Sequence, residues 1–399
     1  MSIRSGTTFW EACGPPPAAA PTLQGDVDCE VAIVGGGITG ALLAYYLIRE
    51  GIDVVLVDRR KLGTGSTAAS TGLLQYEIDL PLSELIDHVG AEAAVRAYRR
   101  GLQAIDEIES LTEELQDPCD FVRCESLYFA SHWWHERRLR REFDCRREYG
   151  FAVDYLERRE LANCSTIASV GAIRSHGDAR INPYRFTQRL MQLARERGVR
   201  AFADTEVHSL QERPTDVMLA TAAGSLRAKA VVFATGYESQ RFLPDYRGAL
   251  HSTYALVSEP ISDFAGWPNG ALLWETSRPY FYARQTEDGR ALIGGGDTVF
   301  SNDHRRDGLV ERKAAKLQKR FATLFPQIEF RPAYAWAGTF GESRDGLAYI
   351  GQVPARPRAY FALGYGGNGI TFSMIAARLI TDLYLKRPNR DAELFRFGR

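Results

Sequence analysis

The sequence contains few cysteines, and they form no pattern typical of a metal site or a disulfide framework. Among 399 residues the cysteines are Cys13, Cys29, Cys119, Cys124, Cys145 and Cys164. No CxxC pair occurs, and a chain of this length can bury a stable core without disulfide bonds. We therefore expect reduced thiols and no metal site in a cytoplasmic protein. A disulfide-bearing exported enzyme is the alternative.

The sequence also lacks an excess of charge and a long apolar run. The formal net charge is −1 at pH 7, so no global field favours nucleic acid or an anionic membrane. No stretch reaches the roughly 18 apolar residues of a membrane span. Residues 1–29 contain three consecutive prolines and no signal-like apolar segment, and they predict an irregular arm that either docks through Trp10 or stays mobile. We expect no nucleic-acid partner and no integral membrane span, and the oligomeric state stays open.

A glycine-rich loop is the first strong positive signal. A buried strand, a helix and a second buried strand are predicted around it, over 31–34, 39–50 and 54–57. The loop carries the G-x-G-x-x-G pattern at Gly35, Gly37 and Gly40. These glycines permit a tight turn, close approach of backbone to a pyrophosphate, and packing of helix on strand. Asp58 ends the second strand, where an acid accepts hydrogen bonds from an adenosine ribose. The unit predicts a bound dinucleotide.

Four later segments identify the dinucleotide by resemblance. They are 63–75 (GTGSTAASTGLLQ), 234–236 (ATG), 336–346 (WAGTFGESRDG) and 361–372 (FALGYGGNGITF). In this order they resemble the flavin-contact segments of the D-amino-acid oxidase, glycine oxidase and sarcosine oxidase superfamily, and with the glycine loop they extend over residues 30–385. The resemblance implies FAD. Because no cysteine follows Cys164, we expect the FAD to be bound non-covalently.

The resemblance also implies a set of cofactor contacts. These are Gly35, Gly37, Ile38, Thr39, Gly40, Asp58, Arg59, Arg60, Gly65, Ser66, Thr67, Ser70, Thr71, Gly72, Leu73, Leu74, Val207, Ala234, Thr235, Gly236, Gly338, Gly364, Gly366, Gly367, Asn368, Gly369, Ile370 and Thr371. In the last segment, backbone amides at a helix N-terminus would approach the flavin ring and stabilise its anionic reduced form.

The resemblance implies a reaction as well. Hydride passes from the carbon that bears nitrogen to flavin N5, and the resulting imine is hydrolysed. The substrate is a small amine or amino acid, and the acceptor is O2 or an electron carrier. The alternatives are an alcohol or hydroxy-acid dehydrogenase of the same fold and a non-catalytic flavin-bearing subunit.

Candidate substrate-site residues follow from this implied reaction. They are Tyr254, Tyr282, Phe340, Tyr365, His251 and Gln75, with Tyr280, Trp336 and Glu77 as further neighbours of the pocket. The aromatic residues suit a cationic amine, and ordinary core packing is the alternative for each of them. His251 would serve as an acid or base, or would bind a loop carbonyl.

One position departs from the family pattern. As we align the segments, glycine oxidase and D-amino-acid oxidase carry a substrate-binding arginine two residues after WAG, where this sequence has Phe340. An Arg–carboxylate pair is difficult to replace. We expect either that Arg278, Arg284 or Arg344 binds a carboxylate, or that an aromatic pocket binds an amine. The chain then resembles the γ-glutamylputrescine-oxidase-like or D-amino-acid-dehydrogenase-like branches more than glycine oxidase. The structural alternatives are a surface position for Arg284 and a loop ion pair for Arg344.

The order of elements predicts an α/β fold. A Rossmann-like FAD-binding domain is interleaved with a smaller substrate domain of α+β type that carries an antiparallel sheet. The predicted bounds are 1–29 for the arm, 30–85, 160–250 and 330–399 for the FAD-binding domain, and 86–159 and 251–329 for the substrate domain. Residues 133–149 predict a charged helix whose solvated face carries Glu136, Glu142 and Glu148.

Overall fold

The computed structural model describes residues 3–243 and 248–399. The strands are β1 (Val27–Val34), β2 (Val54–Val57), β3 (Leu73–Leu74), β4 (Val122–Phe129), β5 (Val153–Glu157), β6 (Gly171–Arg180), β7 (Arg200–Phe202), β8 (Ser209–Glu212), β9 (Val217–Ala220), β10 (Ser225–Phe233), β11 (Ala249–Ser258), β12 (Leu272–Glu275), β13 (Phe281–Gln285), β14 (Ala291–Val299), β15 (Pro332–Glu342), β16 (Tyr349–Val353) and β17 (Arg356–Leu363). The helices are α1 (Phe9–Cys13), α2 (Ile38–Arg49), α3 (Ser66–Ala69), α4 (Leu82–Val89), α5 (Ala91–Glu114), α6 (Glu136–Glu148), α7 (Arg158–Cys164), α8 (Pro183–Glu196), α9 (Asp303–Asp307), α10 (Val310–Leu324), α11 (Gly369–Tyr384) and α12 (Ala392–Phe395). Residues 1–2 of the predicted arm and 244–247 of the predicted FAD-binding domain lie outside the described residues.

The first sheet contains the predicted nucleotide-binding unit. Its strand order is β16-β17-β10-β1-β2-β7, with β8 and β9 attached at β10. Strands β2, β1, β10 and β17 are parallel to one another. Val31 and Ile33 pack with α2 on one face, and Ala32 and Val34 pack in a second cluster on the other face. Burial on both faces explains the continuous apolar run, and the parallel order brings the carboxyl ends of β1, β2 and β10 to one edge.

The second sheet is mostly antiparallel, with strand order β15-β11-β14-β13-β12-β4-β6-β3 and β5 attached at β6. Strands β13 and β14 pair antiparallel as a hairpin within this sheet. Helix α10 packs Leu317 and Phe321 into a cluster with this sheet. The mixed α/β fold is therefore as predicted.

The predicted domain bounds do not follow the sheets at three places. Strands β3, β6 and β15 lie within 30–85, 160–250 and 330–399, which are predicted for the FAD-binding domain, yet all three pair in the second sheet. Strand β6 was not predicted at all, because its apolar residues are interrupted by His176, Gly177 and Asp178. Strand β4, its antiparallel neighbour, was not predicted either. The division into an arm and two domains remains a prediction.

The arm is ordered against the rest of the chain. It contains helix α1, which the proline-rich pattern did not predict. The buried Trp10 indole donates to the Ser70 carbonyl at 2.7 Å. The Ser5 amide donates to the Ala337 carbonyl at 3.0 Å, so the start of the arm lies along β15. Trp10 therefore anchors the arm beside α3.

Helix α6 differs from the predicted solvated helix. Glu142 and Arg146 are both buried, and Arg146 Nε donates to Glu142 Oε1 at 2.6 Å. Arg146 Nη1 also donates to Glu77 Oε1 at 2.9 Å. The amides of Leu82 and Ser83 complete the hydrogen bonds of Glu142, each at 2.9 Å. The helix thus faces the core with an ion cluster, because buried charges are retained when they are paired and hydrogen-bonded.

We predict that Arg146→Ala destabilises the fold by about 3–5 kcal/mol, because it leaves buried carboxylates without their counter-charge. Arg147→Ala is the matched control, since Arg147 is exposed on the same helix, where it pairs with Asp144 and lies over the Phe143 ring. Urea denaturation followed by circular dichroism measures both free energies of unfolding. Equal stability of the two variants would contradict the structural role of the ion cluster.

Candidate functional site

The glycine loop forms the floor of a cleft at the carboxyl ends of β1, β2 and β10. Gly35 has φ 112°, and a Cβ there would lie 2.5 Å from the Ala234 carbonyl oxygen. A Cβ on Gly40 would lie 1.8 Å from the Gly35 carbonyl oxygen. Gly37 precedes α2, and its Cβ would lie 3.0 Å from Thr67 Oγ1. The turn therefore requires glycine, and it brings the N-terminus of α2 to the cleft, where the Ile38 amide donates to Thr67 Oγ1 at 2.9 Å.

Asp58 organises this loop from the end of β2. Its Oδ2 accepts from the Gly36 amide at 2.6 Å, and its Oδ1 accepts from the Arg60 amide at 2.7 Å. Burial raises the pKa of the Asp58 carboxyl, and the two amides oppose that rise. Each oxygen keeps a lone pair for a further donor, as binding of a ribose requires.

Most predicted cofactor contacts line this cleft or the cavity that adjoins it. Those lining the cleft are Gly35, Gly37, Ile38, Thr39, Asp58, Arg59, Arg60, Gly65, Ser66, Thr67, Ser70, Val207, Ala234, Thr235, Gly236, Gly369 and Ile370. Those lining the adjoining cavity include Thr71, Leu73, Gly338, Gly366, Gly367 and Asn368. Ser66, Ser70, Gly369 and Ile370 border both spaces, so the cleft and the cavity lie side by side.

Five predicted contacts line neither the cleft nor the cavity, because they shape the backbone around these spaces. They are Gly40, Gly72, Leu74, Gly364 and Thr371. The cleft also contains residues that the sequence reasoning missed, namely Ile3, Pro183, Thr205, Glu206, Glu238, Arg241, Phe242 and Ser373. Glu238 follows the ATG segment closely and pairs with Arg60 at 3.1 Å, so its position in the sequence was the available signal.

The cleft and cavity fit an extended flavin dinucleotide. The space runs from Asp58 to the loop before α11, where helix amides meet the cavity. The Tyr365 hydroxyl and the Gln75 side-chain amide are shielded from solvent and lack hydrogen-bond partners there. Asn368 Nδ2 donates to the carbonyls of Gln75 and Glu77 at 3.1 and 2.7 Å, which fixes the loop against the segment after β3. Unpartnered polar groups beside a glycine cradle are what a bound cofactor would satisfy.

The adjoining cavity has aromatic walls and acidic groups. Trp274, Tyr280, Tyr282, Phe340, Asp79, Glu77 and Asp297 line it together with the loop before α11. Of the candidate substrate-site residues, Tyr282, Phe340 and Gln75 are brought together here. The acids Asp79 and Asp297 were not predicted, and no motif marked them.

The other candidates lie elsewhere. Tyr254 is buried beneath the second sheet, with its hydroxyl 3.3 Å from Thr298 Oγ1. His251 lies at the edge of β11, where its Nε2 is 3.4 Å from a Glu342 carboxylate oxygen. It stacks on Phe340 from outside the cavity lining, with ring centroids 5.6 Å apart. Tyr365 lines the nucleotide cleft instead of the substrate cavity.

Arg284 has a structural role. It is fully buried instead of lying on the surface, and its Nη1 donates to the carbonyls of Gly72 and Ile181 at 2.7 and 2.8 Å. Burial lowers the pKa of its guanidinium to about 9. Because both contacts are to backbone, Arg284 supports the flavin loop and is not directed at a substrate.

The other two candidate arginines, Arg278 and Arg344, do not line the cavity either. Arg278 is exposed, donates to the Asp79 carbonyl at 2.7 Å and lies 4.5 Å from the Tyr280 ring centroid. Arg344 is exposed, and the adjacent Asp345 pairs with Arg399 at 2.7 Å. Within 3–243 and 248–399, no arginine or lysine lines the cavity.

Comparison with known proteins identifies the family. The family model described as "FAD dependent oxidoreductase", DAO, matches residues 30–383. The chain belongs to the DAO family of FAD-dependent oxidoreductases. It is 25% identical to gamma-glutamylputrescine oxidoreductase of Escherichia coli strain K12 over 401 residues, covering 98% of this chain and 90% of that protein. It is 27% identical to glycine oxidase of Geobacillus kaustophilus strain HTA426 over 361 residues, covering 89% of this chain and 92% of that protein.

A solved structure agrees with the fold. The crystal structure of glycine oxidase from Geobacillus kaustophilus superposes with a TM-score of 0.78 at 23% identity, covering 93% of this chain and 99% of that one. FAD is therefore the cofactor of this enzyme, which is an FAD-dependent oxidoreductase. Non-covalent attachment remains a prediction. Over the described residues, no helix is both long and apolar enough to cross a membrane.

We predict that Gly37→Ala weakens FAD binding by roughly tenfold or more, because the added methyl group crowds the loop where backbone approaches the pyrophosphate. Gly308→Ala is the control, since Gly308 has ordinary helical backbone angles and lies outside the cleft. The ratio of flavin to protein absorbance, measured after dialysis, reports occupancy. Full flavin content in the Gly37 variant would show that the loop does not approach the cofactor.

Proposed function

We propose that this enzyme oxidises a C–N bond of a primary or secondary alkylamine, without an arginine that binds a substrate carboxylate. The observation that carries the proposal is the composition of the cavity. Phe340 stands at the position where the family resemblance implies an arginine, and the described cavity lining contains acids and aromatic rings but no cation. Arg284, the most buried of the three candidate arginines, is held by backbone carbonyls.

Electrostatics favours an ammonium group in this cavity over a carboxylate. A substrate carboxylate near Asp79 and Asp297 would lose its hydration and meet charges of its own sign. An ammonium group meets opposite charges and the faces of Trp274 and Tyr282, and cation–π attraction is strongest where water is excluded. One relative, gamma-glutamylputrescine oxidoreductase, is likewise named for an amine substrate.

The residues of the chain would position the substrate for oxidation. FAD, when bound, supplies the two-electron acceptor that takes a hydride from the carbon bearing nitrogen. Phe340 and Tyr282 exclude water around that carbon, and Asn368 holds the loop of Gly366 and Gly367 against the cavity. The oxidised substrate is an imine, which water hydrolyses after release. The final electron acceptor is O2 or an electron carrier.

We predict that n-butylamine, N-methylbutylamine or benzylamine bleaches the flavin under anaerobic conditions at least about tenfold faster than glycine, D-alanine or L-alanine. The physical reason is the acidic, arginine-free lining of the cavity. Stopped-flow absorbance measures the rate for each compound, and glycolate serves as the hydroxy-acid comparison.

Each of the other outcomes would indicate a different function. Bleaching by glycolate but by no nitrogen compound would identify a hydroxy-acid dehydrogenase. Faster bleaching by α-amino acids than by amines would show that a carboxylate is bound despite Phe340. A flavin that no compound reduces would favour a flavin-bearing subunit.

A further inference from the structure

A β-bulge turns Asp297 toward the cavity. Strand β14 pairs with β11 through Gly295 opposite Tyr254 and Thr298 opposite Ser252, so two residues of β14 face one residue of β11. The glycines before Asp297 adopt left-handed backbone angles, with φ 126° at Gly295 and 67° at Gly296. Bulges of this kind redirect a side chain and occur next to active sites. Asp297 is thereby added to the cavity lining.

One oxygen of Asp297 has no partner. Its Oδ1 is shielded from solvent and makes no hydrogen bond. A shielded carboxylate oxygen without a donor is costly, and such an atom in a cavity wall is a place for a ligand donor. Asp79 differs, because its Oδ1 accepts from the Tyr280 hydroxyl at 3.0 Å and its Oδ2 accepts from the Gly367 amide at 2.5 Å. Both carboxylate oxygens of Asp79 are therefore used within the protein, and one of them holds the loop before α11. Asp297 Oδ1 can still accept a hydrogen bond from a ligand.

The groups around Asp297 determine its charge. They are Asp79, Glu342 on β15, His251 on β11, Lys313 on α10, and Tyr280 and Tyr282 at β13. Burial raises the pKa of the Asp297 carboxyl to about 6, with further increases from Asp79 and Glu342. The Thr253 hydroxyl and His251 oppose this rise. Asp297 is thus ionised above about pH 6 and becomes neutral as the pH falls below that value.

We propose that the unpartnered oxygen of Asp297 binds the ammonium group of the substrate and accepts one of its protons. This inference rests on the proposed amine oxidation and assigns a residue to it. A proton moves from nitrogen to the carboxylate, which leaves a neutral amine and a neutral carboxylic acid. The lone pair freed on nitrogen is the electron pair that supports loss of hydride from the adjacent carbon. Burial of the carboxylate favours the neutral pair, because it disfavours both charged forms.

We predict that Asp297→Asn weakens binding of n-butylammonium to the oxidised holoenzyme at pH 8 by about 10- to 100-fold, because the charged acceptor is removed. Perturbation of the flavin absorbance measures the dissociation constant. In the unchanged protein, affinity should fall as the pH drops through about 6, and in the variant this dependence should be absent. Asp263→Asn, an exposed acid outside the cavity, is the matched control.

The rate of flavin reduction tests proton acceptance separately. With saturating n-butylamine at pH 8, Asp297→Asn should reduce the flavin about 10²- to 10⁴-fold more slowly. The rate should recover as the pH approaches the pKa of the free amine, since the substrate then arrives neutral. A merely structural defect would not be rescued by pH, and a flavin content equal to that of the control variant confirms that the variant folds.

The outcomes separate this inference from the proposed function. If amines reduce the flavin but Asp297→Asn keeps the affinity and pH profile of the unchanged enzyme, Asp297 has no such role and the proposed function stands. If n-butylammonium binds through Asp297 but no amine reduces the flavin, the ammonium-binding site stands and amine oxidation is overturned. Absence of n-butylammonium binding in the unchanged enzyme overturns the ammonium site.

Discussion

The contact between Arg284 and two backbone carbonyls sets the geometry on which both halves of the site depend. Arg284 belongs to β13 of the second sheet, and its partners Gly72 and Ile181 belong to the flavin loop and to the turn before α8. The fit is tight, since a Cβ on Gly72 would lie 2.2 Å from the Ile181 oxygen. The buried guanidinium of Arg284 thus holds strand β13 of the second sheet against the flavin loop. Because its charge is used in this way, it cannot also bind a substrate acid.

Around the cavity, other side chains also hold backbone segments in place. Asn368 joins the loop before α11 to the segment that follows β3, and Asp79 binds the amide of Gly367. Trp10 holds the arm to Ser70, which borders both the cleft and the cavity. These contacts come from segments far apart in the chain. The cavity is therefore a product of tertiary structure, although the cleft for the dinucleotide is largely local.

This difference explains what could be predicted from sequence. The turn at Gly35 and the acid at Asp58 are close in the chain and have a fixed spacing, so the nucleotide cleft and the α/β fold were predictable. Burial of Arg146 and Arg284 was not, because a charged residue in a strand or helix is usually solvated and only its distant partners show otherwise. Tyr254 was chosen for its ring, yet its neighbour Thr253 lines the cavity. Alternate strand residues face opposite sides, and the bulge at Asp297 changes the register in a way that composition does not reveal.

The substitution at Phe340 and the acid at Asp297 act together on specificity. Removing a cation from a substrate site would by itself lower affinity for a carboxylate, and an aromatic ring in its place would accept many apolar groups. Adding a carboxylate with an unpartnered oxygen to the same cavity gives the site a charge of the opposite sign. An acid that enters this cavity loses its hydration without gaining a counter-charge. An ammonium group also loses hydration, but its ion pair with the carboxylate offsets that cost. The FAD-binding cleft needs no change when the charge of the cavity is reversed, since the hydride would leave from the carbon next to nitrogen in either substrate class. Under the proposed function, the charge of the cavity lining around Phe340 and Asp297 would select amines over amino acids while the FAD-binding cleft stays the same.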